Sequence, residues 1–184
     1  LEEIISFFCN NYNARKIKVE PVTVHGRAAS NKISPPAAVD FVRYFLKAKA
    51  VATANRKELL YSRARFDVHT DIVCLAAGKS FGVTPDGYIT SCYEVLTKEN
   101  PLSEIFFYGK IEEGRITLFQ DKLNYLAKLT VHEKEKCRRC FAKFHCAGDC
   151  PAKAILSGKD GISADYRCII NRELTKDQLM RSIV

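Results

Sequence analysis

The sequence predicts an α+β protein, in which the end of an α/β layer leads into a small domain of β-hairpins, cysteine loops and helices. Three observations carry that expectation. Over residues 1–65 the apolar positions switch between helical and strand periods. Between about Phe66 and Leu118, two turn signals each separate short β-rich runs. From Cys74 onward, seven of the eight cysteines fall into groups separated by long excursions.

Leu1, Ile4, Ile5 and Phe8 recur at helical spacing, so residues 1–12 read as the end of an amphipathic helix. Lys16–Val22 alternates and stops at Pro21, which predicts a strand, and a loop follows over His25–Ala28. Ser34 is placed to cap a helix entered through Pro35 and Pro36, with Ala38, Phe41, Val42, Phe45, Ala48 and Ala52 on one face through about Thr53. Leu59–Arg63 is a second short strand. Helix, strand, helix, strand is the grammar of a parallel layer, and two strands are too few to stand alone, so residues 1–65 read as the tail of something larger. The boundary is expected between Arg63 and Val73.

Beyond it, Phe81–Thr84 and Tyr88–Cys92 flank Pro85-Asp86-Gly87, a hairpin signal that carries Cys92 back towards Cys74. Phe106–Ile111 and Arg115–Leu118 around Glu112-Glu113-Gly114 predict a second hairpin. Asp121–Leu129 reads as helix, residues 137–150 as a tight ligand loop, and Pro151 as the start of a helix to Leu156. Thr175-x-x-Gln178 has the form of a capping box opening a last helix to Val184.

Composition narrows the class. Forty-seven per cent of the 184 residues are hydrophobic, which describes a globular chain. No apolar run approaches the ~20 residues of a membrane span, and no secretory signal is present. The expected compartment is therefore the reducing cytoplasm, where clustered cysteines more often bind metal than pair. The net charge of +8 is scattered, so nucleic acid is not the expected partner. The densest cluster, Lys134, Lys136, Arg138, Arg139 and Lys143, surrounds a cysteine group; it fits either a solvated surface or a counter-charge for an anionic centre.

The cysteine spacing is C-x12-G-x4-C for Cys74, Gly87 and Cys92, then C-x2-C-x5-C-x3-C for Cys137, Cys140, Cys146 and Cys150, and finally Cys168 after seventeen residues. Two residues between Cys137 and Cys140 let both thiolates turn to one metal. Cys146 and Cys150 share a face if helical and otherwise diverge to different centres. Gly148 suits backbone in close approach to a metal or sulfide. Seven thiolates imply two centres, one of them a ligand short. Iron–sulfur clusters and a pair of zinc ions both remain open on spacing alone.

This arrangement resembles the SPASM domain, the C-terminal extension of many radical S-adenosylmethionine enzymes that mature peptides and proteins. The resemblance covers residues 66–184 and includes all seven cysteines, Gly87, Pro85-Asp86-Gly87 and Cys146-Ala147-Gly148. Residues 1–65, with Val19-Glu20-Pro21 and Gly26-Arg27-Ala28, are similar to the last strand and helix of the partial (β/α)6 barrel that precedes it. The resemblance implies two auxiliary 4Fe–4S clusters, the first held by Cys74, Cys92 and Cys150 and the second by Cys137, Cys140, Cys146 and Cys168. It implies further that S-adenosylmethionine and a third 4Fe–4S cluster belong to an upstream barrel of the same parent. A peptide or protein substrate and an electron donor such as a flavodoxin or ferredoxin are the partners so implied.

Two departures qualify the match. Relatives that oxidise sulfatases carry an aspartate directly after the equivalent of Cys92; here Tyr93 stands there, followed by Glu94, which reads as a surface carboxylate. The CxxxCxxC loop that generates the radical is absent from this sequence, so this portion is expected to be non-catalytic by itself. For the missing ligand of the first cluster, His69 is close in sequence and Cys9 could reach only through the fold, although both read better as ordinary residues, and the open iron could instead meet substrate or water. The competing expectation is a basic two-zinc domain that engages nucleic acid or an acidic protein.

Overall fold

The computed structural model describes residues 1–24, 26–157 and 165–183, which form a mixed α+β structure. In chain order the elements are α1 (Glu2–Asn11), β1 (Lys16–Lys18), α2 (Arg27–Ser30), α3 (Ala38–Ala54), β2 (Glu58–Leu60), β3 (Gly82–Val83) and β4 (Tyr88–Thr90). There follow α4 (Ser103–Phe106), β5 (Phe107–Glu112), β6 (Arg115–Leu118), α5 (Gln120–Ala127), a 3-10 turn at Glu135–Cys137, α6 (Lys143–Cys146), α7 (Pro151–Ser157) and α8 (Tyr166–Ile183). Two compact units result: Leu1–His69 with Lys153–Val184, and Thr70–Ala152. His25 and Val184, expected in a loop and at a helix end, lie outside the described residues.

In the first unit, β1 and β2 pair in parallel with Ile17 opposite Leu59, and α3 is the crossover between them. The strand is shorter than the alternation suggested. Val19 still donates to Leu60 O at 3.0 Å, but then Glu20 turns its carboxylate to the Ser62 N–H and Pro21 has no donor to offer. Helix α3 begins at Ala38 with no side-chain cap, so Ser34 is not its N-cap. Pro36 disfavours helical geometry at Pro35, and Ala37 remains extended at φ −55°, ψ 144°. The residues expected as loop after Gly26 instead make one helical turn, α2.

The expected face of α3 is buried: Phe41, Phe45, Ala48 and Ala52 pack with Ile5, Leu59, Tyr61, Ile170 and Leu174. Phe41 stacks on Phe45 with centroids 5.9 Å apart, and Tyr61 closes on both rings. On α1 only Ile5 is fully buried, whereas Ile4 and Phe8 are 56% and 41% exposed. Helix α8 overturns the expected capping box. Thr175 lies well inside it, buried, with Oγ1 donating to Asn171 O one turn back at 2.6 Å. A threonine that bonds its own helix in this way continues the helix instead of opening one.

The second unit is built on an antiparallel meander ordered β3-β4-β5-β6, so the two expected hairpins join through β4 and β5 into one sheet. Glu113 and Gly114 have φ of 48° and 74°, the left-handed pair that a two-residue hairpin turn requires. Tyr88 stacks on Phe107 across β4 and β5 with centroids 4.8 Å apart. Phe106, Leu126, Val95 and Val131 are the large apolar side chains buried deepest in this unit. No helix of the described residues is long and apolar enough to cross a membrane.

One ion pair fastens α8 to α3: Lys49 Nζ lies 3.0 Å from Asp177, with the two side chains 22% and 17% exposed, and Arg181 bonds the same carboxylate at 2.9 Å. Burial acts to raise the Asp177 pKa, but the bonds from Lys49 and Arg181 outweigh it and hold the carboxyl below its ordinary value. A depressed folded pKa stabilises at pH above the unfolded value, and that stabilisation is lost as pH falls through the folded one. Asp177→Asn is therefore expected to cost about 1–2 kcal/mol at neutral pH. The gap from wild type should close as pH is taken through and below the carboxylate range, as denaturant midpoints across pH would show. A gap that does not change with pH would contradict this account.

Candidate metal centre

The route to Cys92 begins at Pro85-Asp86-Gly87. Gly87 N–H donates to Thr84 O at 2.9 Å, Thr84 N–H donates to Tyr88 O at 2.9 Å, and Tyr88 N–H donates to Thr84 Oγ1 at 3.0 Å. Gly87 has φ +78°, and a Cβ there would lie 2.7 Å from Ile111 O; Ile111 N–H in turn donates to Gly87 O at 2.7 Å. The hairpin tip is thus seated on β5 at a spacing that only glycine permits. A register shift between Ile89 and Thr90 then turns the chain out of β4. Thr90 Oγ1 accepts from Cys92 N–H at 3.2 Å and donates to Cys92 O at 3.1 Å, which sets the cysteine's backbone.

Cys74 lies in the segment leading to β3, and both ends of that segment are tethered. Thr70 N–H donates to Phe144 O and Val131 N–H donates to Asp71 O, each at 3.0 Å. Ser80 Oγ donates to Ser91 O at 3.1 Å, and Tyr108 Oη donates to Ser80 O at 3.2 Å. The first pair of bonds ties the chain before Cys74 to Phe144, two residues before Cys146, and to Val131. The second pair ties Ser80, after it, to Ser91, the residue preceding Cys92, and to Tyr108 on β5.

The expected ligand loop is a stack of turns. Cys137 N–H donates to Lys134 O at 2.8 Å, Cys140 N–H to Cys137 O at 3.1 Å, and Lys143 N–H to Cys140 O at 3.2 Å. A cysteine stands at each joint. Helix α6 then runs only to Cys146, which is buried. Ala147, Gly148 and Asp149 follow with φ of 57°, 76° and 59°. Three left-handed residues in succession reverse the chain before Cys150, so Cys146 and Cys150 do not share a helical face. The space a Cβ on Gly148 would need is taken by Lys134 Cδ and Nζ, both at 3.0 Å, and by Val131 Cγ1 at 3.3 Å. Packing against Lys134, and not only approach to a metal, accounts for glycine here.

Cys74 and Cys150 both lie close enough to Cys92 to act on its charge. Burial pushes the Cys92 thiol pKa up; the Glu94 backbone N–H bonded to it pulls the other way, and the neighbouring Cys150, Glu94 and Cys74 add to the rise. Glu94 is exposed, as a surface carboxylate should be, yet it stands beside this thiol. In the second group burial likewise raises Cys137, followed by the opposing charge of Lys134, the repulsion of Cys140 and the opposing charge of Lys143. Two members of the basic cluster therefore act on a thiol, as a counter-charge would. Cys168 lies on α8, in the first unit. His69 ends the first segment of that unit, and Cys9 packs half-buried against its core.

Among the described residues, no three histidine, cysteine, aspartate or glutamate side chains converge as one metal ion would require. A single zinc at ~2.3 Å from each sulfur draws its thiolates to within about 4 Å of one another. A polynuclear cluster distributes its thiolates over separate irons and needs no such convergence. The donor set is otherwise suitable: Cys74, Cys92, Cys137, Cys140 and Cys150 are free thiols. Lys134, the Ala147–Asp149 reversal and the Thr90 bond to Cys92 are parts of the site that the sequence reading did not assign, because none has a spacing signature.

Gly87→Ala is expected to lower stability by about 2–4 kcal/mol, combining left-handed strain with displacement of the β5 carbonyl. Gly114 has a similar φ but open space around its Cβ position, so Gly114→Ala should cost only about 1 kcal/mol. Equal losses in thermal unfolding would remove the close approach as the reason for Gly87. Comparison of the chain with protein-family models, curated proteins and solved structures finds no match.

Proposed function

We propose that this chain is the auxiliary-cluster portion of a radical S-adenosylmethionine enzyme that modifies a ribosomal peptide or protein. It would comprise the last strand and helix of a partial (β/α)6 barrel and a SPASM domain. The observation that supports the reading is that Cys74 and Cys150, from separate stretches of chain, both act on the charge of the Cys92 thiol. Cys150 lies four residues beyond Cys146 yet acts on the hairpin's Cys92, in keeping with the interleaved order the resemblance implies.

In this reading Cys74, Cys92 and Cys150 hold the first 4Fe–4S cluster, and Cys137, Cys140, Cys146 and Cys168 hold the second. Such clusters supply one-electron transfer or an open iron for a substrate ligand. The protein's own part is to fix the thiols and balance their charge. Burial of Cys92 and Cys137 disfavours their bare thiolates, so metal binding releases protons from groups that resist ionising without it. Lys134 and Lys143 place positive charge beside the second set. The radical itself, S-adenosylmethionine and a third cluster are assigned to an upstream barrel, with a flavodoxin or ferredoxin as electron donor, all in the reducing cytoplasm.

Anaerobic reconstitution with ferrous iron and sulfide, followed by metal and acid-labile sulfide analysis, tests the reading. About eight irons and about eight sulfides per chain are expected. Retention of about two zincs with no sulfide would overturn it in favour of structural zinc. Cys92→Ser and Cys140→Ala should each remove roughly half of the iron, and Cys140→Ala should also make residues 134–147 sensitive to protease. Full iron in either variant would refute the assigned ligand sets.

A further inference from the structure

Lys134 occupies a position that neither cysteine spacing nor charge explains. Its carbonyl accepts the Cys137 N–H at 2.8 Å and so begins the stack of turns bearing Cys137 and Cys140. Its half-buried side chain crosses to the other end of the ligand loop, where Nζ donates to Gly148 O at 2.5 Å. Gly148 is the middle residue of the left-handed run that reverses the chain between Cys146 and Cys150. The stem's Cδ lies 3.0 Å from where a Cβ on Gly148 would stand, so the stem occupies the space that glycine leaves open. One residue is thus bonded through its backbone to the turns bearing Cys137 and Cys140 and through its ammonium to the turn that precedes Cys150.

Energy is needed at that turn. Ala147 and Asp149 both have positive φ, which costs an L-residue roughly 1–2 kcal/mol. A charge-assisted bond to the central carbonyl is of the size that offsets such a cost. Without it, the relaxed alternative is continuation of α6 towards Cys150, which would place Cys150 on the same helical face as Cys146.

We propose that Lys134 is a latch joining the two ligand sets: by holding the left-handed reversal it points Cys150 at Cys74 and Cys92, so that both centres are assembled or lost together. Lys134 is a positioning residue in this account, and the account rests on the cluster reading of the preceding subsection. Its chemical requirement is a cation long enough to reach Gly148 O, with no Cβ on Gly148 in the way. Two variants remove the same contact from opposite sides. Lys134→Met keeps the stem and deletes the charge, whereas Gly148→Ala keeps the charge and obstructs the stem.

The test uses two readouts on the full chain, one of which needs no iron. In metal-free protein, diamide takes two hydrogens from a pair of neighbouring thiols and links them, and peptide mass analysis reports the Cys92–Cys150 bridge. Lys134→Met and Gly148→Ala are expected to slow that bridge about tenfold while the Cys137–Cys140 bridge forms at its wild-type rate. Lys134→Arg, which keeps a cation, should recover most of the Cys92–Cys150 rate. In the second readout the same variants are reconstituted with iron and sulfide, and they should lose iron from both sites. If wild type takes up no iron, the cluster reading fails while the bridging rates still decide the latch. If wild type loads fully and both variants bridge and load as it does, the latch is wrong and the cluster reading stands. A variant that loses all bridges and its helical signal together would show a general folding role and would also overturn the latch.

Discussion

The contact that most of the second unit depends on is a missing side chain. Gly87 rests against the carbonyl of Ile111, and the bond from Ile111 N–H to Gly87 O closes the contact from the other side. Any larger residue would lift the hairpin tip off β5, and with it the β4–β5 pairing that joins the two hairpins into one sheet. Because Cys92 leaves β4 through a bulge set only two residues beyond Tyr88, its position is inherited from that pairing. The glycine between two cysteines is therefore a matter of sheet geometry, and the thiol chemistry is downstream of it.

From that sheet outward, the site is assembled by short backbone bonds and not by a large apolar core. The segment before Cys74 is tied to the Phe144 and Val131 regions, the segment after it to Ser91, and the Cys137–Lys143 stretch to itself in steps of three. Such steps repeat at the 3-10 interval, which suits a short run and cannot extend far. They give Cys92, Cys137 and Cys140 defined backbones. Burial, and to a smaller degree the neighbouring thiols, opposes the ionisation of Cys92 and Cys137. Positive charge from Lys134 and Lys143 relieves part of that strain at Cys137.

Legibility in the sequence followed the range of the forces involved. Both hairpins could be read because Pro85-Asp86-Gly87 and Glu113-Gly114 encode their turns locally, and the α3 face could be read because its period is that of a long helix. The grouping of Cys74, Cys92 and Cys150 is an expectation of the family resemblance, with which the influence of Cys74 and Cys150 on the Cys92 thiol agrees. The errors arose where tertiary contact overrode a local signal. Thr175 has the form of a cap, yet burial against the first unit's core keeps it inside α8. Ile4 and Phe8 belong to an apolar stripe, but only Ile5 faces α3 strongly enough to be covered. Lys134 was one lysine in a basic run, and nothing short of coordinates separates the one that reaches Gly148 from the others.

The first unit is interrupted: the chain leaves it at His69 and re-enters at Lys153, with α8 supplying Ile170 and Leu174 to a core begun by α1 and α3. A ribosome adding roughly 5–20 residues each second therefore finishes the cysteine-bearing insert some seconds before the first unit acquires its closing helix. Nascent chain at that stage presents six of the seven patterned thiols on a unit whose own contacts are already complete, while the older segment waits with its apolar face uncovered. Chaperone cover of that face and reducing protection of those thiols would consequently be wanted at the same moment, on adjoining stretches of one growing polypeptide.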